Sequence, residues 1–142
     1  MLVRLMYASR ASASIDQEEL QSLLRQCKSA NPRQGVTGVL CFSSGIFMQV
    51  LEGGRMAVNQ LYNKIVSDPR HTDVVLLDYA EIRERRFAGW SMGQVNLQRL
   101  NPAILLKYSE TATLDPYAVS GQASMALFEE LVATASIMGE RG

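Results

Sequence analysis

Apolar and polar positions divide the chain into alternating strand-like and helix-like segments. Leu2-Val3-Arg4-Leu5-Met6-Tyr7-Ala8 is short, apolar and bounded by the small polar stretch Ser9 to Ser14, which predicts a strand. Ser14-Ile15-Asp16-Gln17 has the Ser-x-x-Gln form of a capping box. Behind it, Leu20, Leu23, Leu24 and Cys27 fall at the i, i+3, i+4, i+7 spacing of an amphipathic helix. Asn31-Pro32 is expected to end that helix, because proline drives the residue before it out of helical backbone. Gly35 to Phe42 and Ile46 to Leu51 are apolar runs joined by Ser43-Ser44-Gly45, the signature of a hairpin. Glu52-Gly53-Gly54 is expected to break the second run. Val58, Leu61, Tyr62 and Ile65 repeat the helical stripe as far as Asp68-Pro69, and Val74 to Tyr79 reads as a further strand. A charged stretch, Glu81 to Arg86, leads to a last strand expected near Gly89 to Asn96.

The resulting order, β-α-β-β-α-β-β, predicts a ferredoxin-like α+β sheet over residues 1–97, with right-handed crossovers placing both helices on one face. Val3, Leu5 and Tyr7 alternate with Leu2, Met6 and Ala8, so both faces of the first strand are apolar and the second face also needs a cover. Residues 98–142 supply a candidate as a C-terminal helical extension. Pro102 to Lys107 reads as a short helix, and Met125, Phe128, Leu131, Val132, Ala135 and Met138 as a longer amphipathic one. These are expected to pack on the second face or on a neighbouring subunit.

Composition narrows the classes of function. The 142 residues carry 14 basic and 14 acidic side chains, which lacks the basic excess of a nucleic-acid binder. An apolar content of 47% is too high for disorder, and no run of 18 apolar residues exists to span a membrane. The start of the chain lacks the apolar core of a signal peptide, so a cytoplasmic protein is expected. Cys27 and Cys41 form neither a disulfide framework nor a metal-ligand spacing, and no metal site is expected.

Candidate chemistry lies in polar residues within apolar segments, since each needs a partner or costs free energy. Gln49 interrupts Ile46-Phe47-Met48-Gln49-Val50-Leu51, and Tyr7 ends the helix-facing set of the first strand. Those two strands are neighbours in a ferredoxin-like sheet, so Tyr7 and Gln49 converge. Asn31 reaches the same place from the first helix, and Trp90 and Met92, on one face of the last strand, border it. Each residue also has an ordinary structural reading, as core aromatic, edge amide or turn residue. Phosphate-binding loops, dinucleotide turns and a Ser/His/Asp series are absent, and His71 is the single histidine.

Taken in order, the set resembles the BLUF family of blue-light sensors that use FAD. The residues that carry the resemblance run from Tyr7-x-Ser9 through Asn31-x-x-x-x-x-Thr37-Gly38-x-Leu40 to Gly45-x-Phe47-x-Gln49-x-Leu51-Glu52-Gly53. They continue with Asp68-Pro69-Arg70-His71 and Arg86-Phe87-x-x-Trp90-Ser91-Met92. The resemblance implies an isoalloxazine ring held between the two helices. Tyr7 is then the photochemical donor, Gln49 the amide that changes its hydrogen bonding, and Asn31 the holder of the polar ring edge. Lys64, Arg70 and His71 would meet the ribityl-phosphate part, and Trp90 and Met92 would relay the change. Ala30 and Cys27 depart from the commoner Asn or His and Ser of relatives, which removes or alters a ring contact.

The tail, with Leu106-Lys107-Tyr108-Ser109, looks like that of short, single-domain members. These are not enzymes and signal to a separate protein, a cyclic-di-GMP phosphodiesterase or a response regulator, often as homo-oligomers (dimers or rings). The apolar tail helix and the Met6 face are the expected interface. A light-independent ferredoxin-like ligand-binding module and a thermal flavin redox protein are the alternatives. The first would take up no flavin, and the second would turn over an added reductant.

Overall fold

The structure, a computed structural model, describes residues 1–96, 100–134 and 137–138. It contains β1 (Leu2–Ala11), α1 (Gln17–Gln34), β2 (Thr37–Ser43), β3 (Ile46–Gly54), α2 (Arg55–Ser67) and β4 (His71–Ile82). These are followed by β5 (Gly93–Val95), α3 (Pro102–Tyr108), α4 (Gly121–Ala133) and the two-residue β6 (Ile137–Met138). The strands form one sheet in the order β4-β1-β3-β2-β5-β6. Neighbouring pairs are antiparallel except β2 and β5, which run parallel. The ferredoxin-like α+β architecture is as predicted, with helices on both faces.

The hydrophobic core is accordingly double. On one face, Val3, Leu5 and Tyr7 of β1 pack with Leu20 and Leu24 of α1 and Val58 of α2. On the other, Met6 packs with Val39, Cys41, Met48 and Val50 beneath Leu105 of α3 and Met125, Phe128 and Leu131 of α4. Alternation along β1 sends successive side chains into the two cores, so this strand is buried on both sides. The Met6 face, expected as an interface, is covered within the same chain, and Met6 itself is fully buried.

Several local expectations are corrected. Asp16, and not Ser14, caps α1, its carboxylate accepting from the Glu19 N–H at 2.8 Å. Pro32 lies inside the last turn of α1, where its missing N–H costs a single backbone bond. The helix ends instead at Gly35, whose φ of 69° is left-handed. There, Gly35 N–H reaches Pro32 O and Val36 N–H reaches Asn31 O, the pattern that satisfies the last carbonyls of a helix. β3 runs through Glu52-Gly53-Gly54, because all three pair with β1 and a Cβ at Gly53 would press on Gly35 O at 3.0 Å. β1 likewise continues through Ser9, Arg10 and Ala11, pairing with β4 as far as His71. The β2–β3 hairpin closes through Ser44 and Gly45, both at positive φ, as a tight two-residue turn that suits strand twist. The last strand of the predicted core is only Gly93–Val95, so Trp90 and Met92 lie in the loop before it. Met138 belongs to β6 rather than to the tail helix, and Ala135 lies outside the described residues.

Candidate functional site

A cleft of about 260 Å³ opens between α1 and α2, with the sheet as its floor. Its size is just below the range for small-molecule sites, roughly 300–1,000 Å³. Leu23, Leu40, Phe47, Leu61 and Ile65 give it apolar walls, and Cys27, Ala30 and Asn31 border it from α1. A second cleft of about 230 Å³ shares Leu23, Phe47 and Arg70 with it and is edged by Ser12, Ser14 and Ser22.

Tyr7 and Gln49 occupy the floor because β1 and β3 pair in the register that sets them opposite each other. The Tyr7 hydroxyl donates to Gln49 Oε1, and Gln49 Nε2 donates to Met92 Sδ at 3.2 Å. All three side chains are buried. The amide therefore spends its acceptor end on the phenol and its donor end on sulfur. A thioether accepts weakly and donates nothing, so this orientation satisfies both contacts and the reversed one satisfies only the first. Burial pushes the Tyr7 phenol far above its ordinary range, with Cys27, Tyr62 and Asp68 adding to the rise. The phenol is thus a neutral donor, with the Tyr62 ring 5.8 Å away.

Asn31 is buried at the end of α1 and donates from Nδ2 to Ser91 O at 2.9 Å. This ties α1 to the segment carrying Met92. Trp90 and Met92, expected on one face, point into different cores. Met92 joins Tyr7 and Leu40, while Trp90 joins Phe87 and Phe128 beneath the tail helices. Met92 is the neighbour of Gln49. The segment is not a regular strand at these residues, and its backbone is fixed by Gly38 N–H to Trp90 O at 3.0 Å.

At the mouth, Lys64, Arg70 and His71 all border the cleft. Their charge is less free than a basic trio suggests. Arg70 forms two short bonds from its guanidinium to Asp68 Oδ2, at 3.0 Å through Nε and 2.6 Å through Nη2. The guanidinium holds the Asp68 carboxyl below its usual range. His71 Nδ1 meets the hydroxyl of buried Ser9 at 2.7 Å, and its ring lies against Phe47 with centroids 4.8 Å apart. Burial lowers its pKa, partly offset by Asp68. The sequence reading missed Phe47 as a wall, Ser9 as the histidine's partner and Asp68 as the partner of Arg70. Ser9 sits two residues from Tyr7 and Asp68 two from Arg70, so spacing alone held that signal.

The flavin implied by the sequence fits these residues. Apolar walls suit a fused aromatic ring, a buried donor–acceptor pair suits its polar edge, and Lys64 and the Asp68-bound Arg70 at the mouth suit a phosphate. Among the described residues, no group of three or more acidic, His or Cys side chains is placed to hold a metal ion.

The family model described as sensors of blue light using FAD, BLUF, matches residues 2–93. Photoactivated adenylate cyclase subunit beta of Euglena longa is 39% identical over 92 residues. That match takes in 64% of this chain and 11% of the relative, so the chain spans about a tenth of that protein's length. Among solved structures, BlsA in its photo-activated state aligns with a TM-score of 0.81 and 29% identity, over 100% of this chain and 99% of the other. BlrB, a BLUF protein in its dark state, aligns with a TM-score of 0.78 and 31% identity, over 94% and 96%.

Proposed function

Because the chain belongs to the BLUF family of sensors of blue light using FAD, we propose that it binds FAD in the α1–α2 cleft and switches through Tyr7 and Gln49. The chain of bonds from Tyr7 through Gln49 to Met92 carries this reading. Bound flavin supplies the visible absorption and, once excited, the oxidant. Tyr7 is the donor. Its buried phenol resists ionisation, so the electron would pass to the excited flavin together with the proton, which would leave along the existing bond to Gln49 Oε1.

Gln49 is the switch. Turning its amide aims Nε2 at the Tyr7 oxygen and removes the donor from Met92 Sδ, which has no proton to offer in return. In a buried site the amide oxygen left facing sulfur without a donor is costly, and a local change of this kind biases how the attached segment sits. Asn31 holds the polar edge of the ring, and Lys64, Arg70 and His71 meet the ribityl-phosphate part. Met92 reports the turn of Gln49, and Trp90 carries it into the core beneath α3 and α4.

The signal passes to a separate protein, of cyclic-di-GMP phosphodiesterase or response-regulator type, with the sensor acting as a cytoplasmic homo-oligomer and not itself an enzyme. Its targets are neither membrane nor nucleic acid. No described helix is long and apolar enough to cross a membrane, and basic and acidic residues balance.

The deciding experiment is a visible spectrum of the purified protein in the dark and directly after blue light, with the released cofactor identified by chromatography. A flavin band that shifts slightly to the red and returns in darkness, with FAD released, supports the reading. A flavin spectrum that never shifts overturns the photoreceptor. Release of FMN alone overturns the choice of FAD, and steady turnover of an added reductant favours thermal redox chemistry.

A further inference from the structure

The loop of residues 83–92 is fastened to β3 at two points on opposite faces of the sheet. At its end, Met92 Sδ accepts from Gln49 on the cleft side. At its middle, Glu52 turns to the face that carries α3 and α4, and its side chain has no exposed surface. The Glu52 carboxylate accepts Phe87 N–H at 2.7 Å through Oε1. Its Oε2 accepts Arg86 N–H at 3.1 Å and Arg4 Nε at 2.8 Å. Phe87 itself is fully buried, with the Arg4 guanidinium 5.9 Å from its ring centroid.

A carboxylate buried this deeply is stable only while its donors stay in place, and charge-assisted bonds are the stronger kind. Glu52 and Gln49 are three residues apart on one strand, so their side chains leave opposite faces at a fixed spacing. The loop between their partners is short. Its middle is set by two consecutive backbone bonds to one carboxylate, and the stretch before Met92 by Gly38 N–H to Trp90 O. The height at which Met92 arrives beside Gln49 is therefore set partly from the far side of the sheet, with Asn31 Nδ2 to Ser91 O at 2.9 Å holding the adjacent residue from the cleft side. Glu52 touches neither the cleft nor the amide.

We propose that Glu52 is a positioning residue for the Gln49 switch, holding the 83–92 loop where Met92 Sδ meets Gln49 Nε2 and so setting how readily the amide turns and returns. The role rests on the photoreceptor reading, while the placement of Met92 is a property of the chain with or without flavin. Glu52→Gln keeps the shape and one acceptor but removes the charge and sets an amide NH2 against an N–H that one carboxylate oxygen now satisfies.

The test reads two quantities. In the flavin-free protein, the Met92 ε-methyl NMR resonance, identified by its loss in Met92→Leu, moves in Glu52→Gln. In the FAD-bound protein, Glu52→Gln changes the rate of dark recovery by at least roughly threefold, and by less than about twofold when Met92 is already Ala, the non-additivity of coupled residues. An unmoved methyl resonance, or equal rate effects in both backgrounds, overturns the proposal. Should Glu52→Gln not fold, Arg4→Met removes the charged partner, leaves both amide bonds and is read in the same way. A parent protein that shows no red shift would sink the photoreceptor reading instead, and the methyl resonance would still decide where Glu52 holds the loop.

Discussion

Tyr7 has one proton and Gln49 one amide, so the floor of the cleft offers few alternative bonding patterns. Tyr7→Phe removes the hydroxyl and leaves the ring packing, so the variant is expected to bind FAD and to lose the reversible red shift. A normal photocycle in that protein would overturn the donor assignment. Gln49→Leu fills similar space with no hydrogen-bonding group and is expected to hold flavin without shifting; the light-minus-dark spectrum checks it. At the mouth, burial lowers the His71 pKa below its ordinary value of 6.5. The unfolded chain then binds the proton more readily than the folded one, so stability rises with pH through this window and falls as the pH drops below about 6.5. The thermal midpoint is expected to decline from pH 7 to pH 5, and His71→Asn is expected to flatten that slope.

Among the elements, α1 bears most on the site, because its C-terminal turn carries Asn31 and its end fixes where β2 begins. The left-handed Gly35 allows both closing bonds of that turn. An alanine there meets nothing closer than Arg85 Nη2 at 3.9 Å, so its cost is backbone strain alone. Gly35→Ala is expected to lose about 1–2 kcal/mol, the cost of left-handed backbone for a residue with a Cβ. Denaturant unfolding measures it, and the slope with denaturant should stay unchanged. The extension of β3 through Gly54 has a functional consequence as well. It keeps Glu52 within the paired strand, between Arg4 of β1 and Thr37 of β2, where its carboxylate can meet the 83–92 loop.

For the molecule as a whole, the sheet separates two cores that do different work. One lines the cleft, and the other joins β1, β2 and β3 to the tail helices. Phe128 is fully buried in the second and meets Phe87 edge-on, with centroids 6.5 Å apart at 86°. Phe128→Ala is expected to cost about 3–5 kcal/mol, as for large-to-small changes in well-packed cores. The thermal midpoint should fall by roughly 10 °C or more, while FAD uptake at low temperature persists. Loss of flavin binding without loss of stability would show that the two cores are not separate.

The sequence by itself determined the element order as far as α4, the two-faced burial of β1 and the meeting of Tyr7 with Gln49. Those features follow from periodicities of 2 and 3.6 and from antiparallel pairing, which are local rules. It also marked Asn31, Arg70 and His71 as polar residues in an ordered set. The tertiary structure alone decided which of Trp90 and Met92 faces Gln49. They lie in a loop whose direction is set by bonds from Gly38, Asn31 and Glu52, on three separate elements. It also decided that Pro32 stays helical, because Gly35 and Val36 satisfy the turn around it. Capture of Arg70 by Asp68 depends on the path of the chain after α2. In each case the deciding energy is a contact between residues that periodicity does not relate.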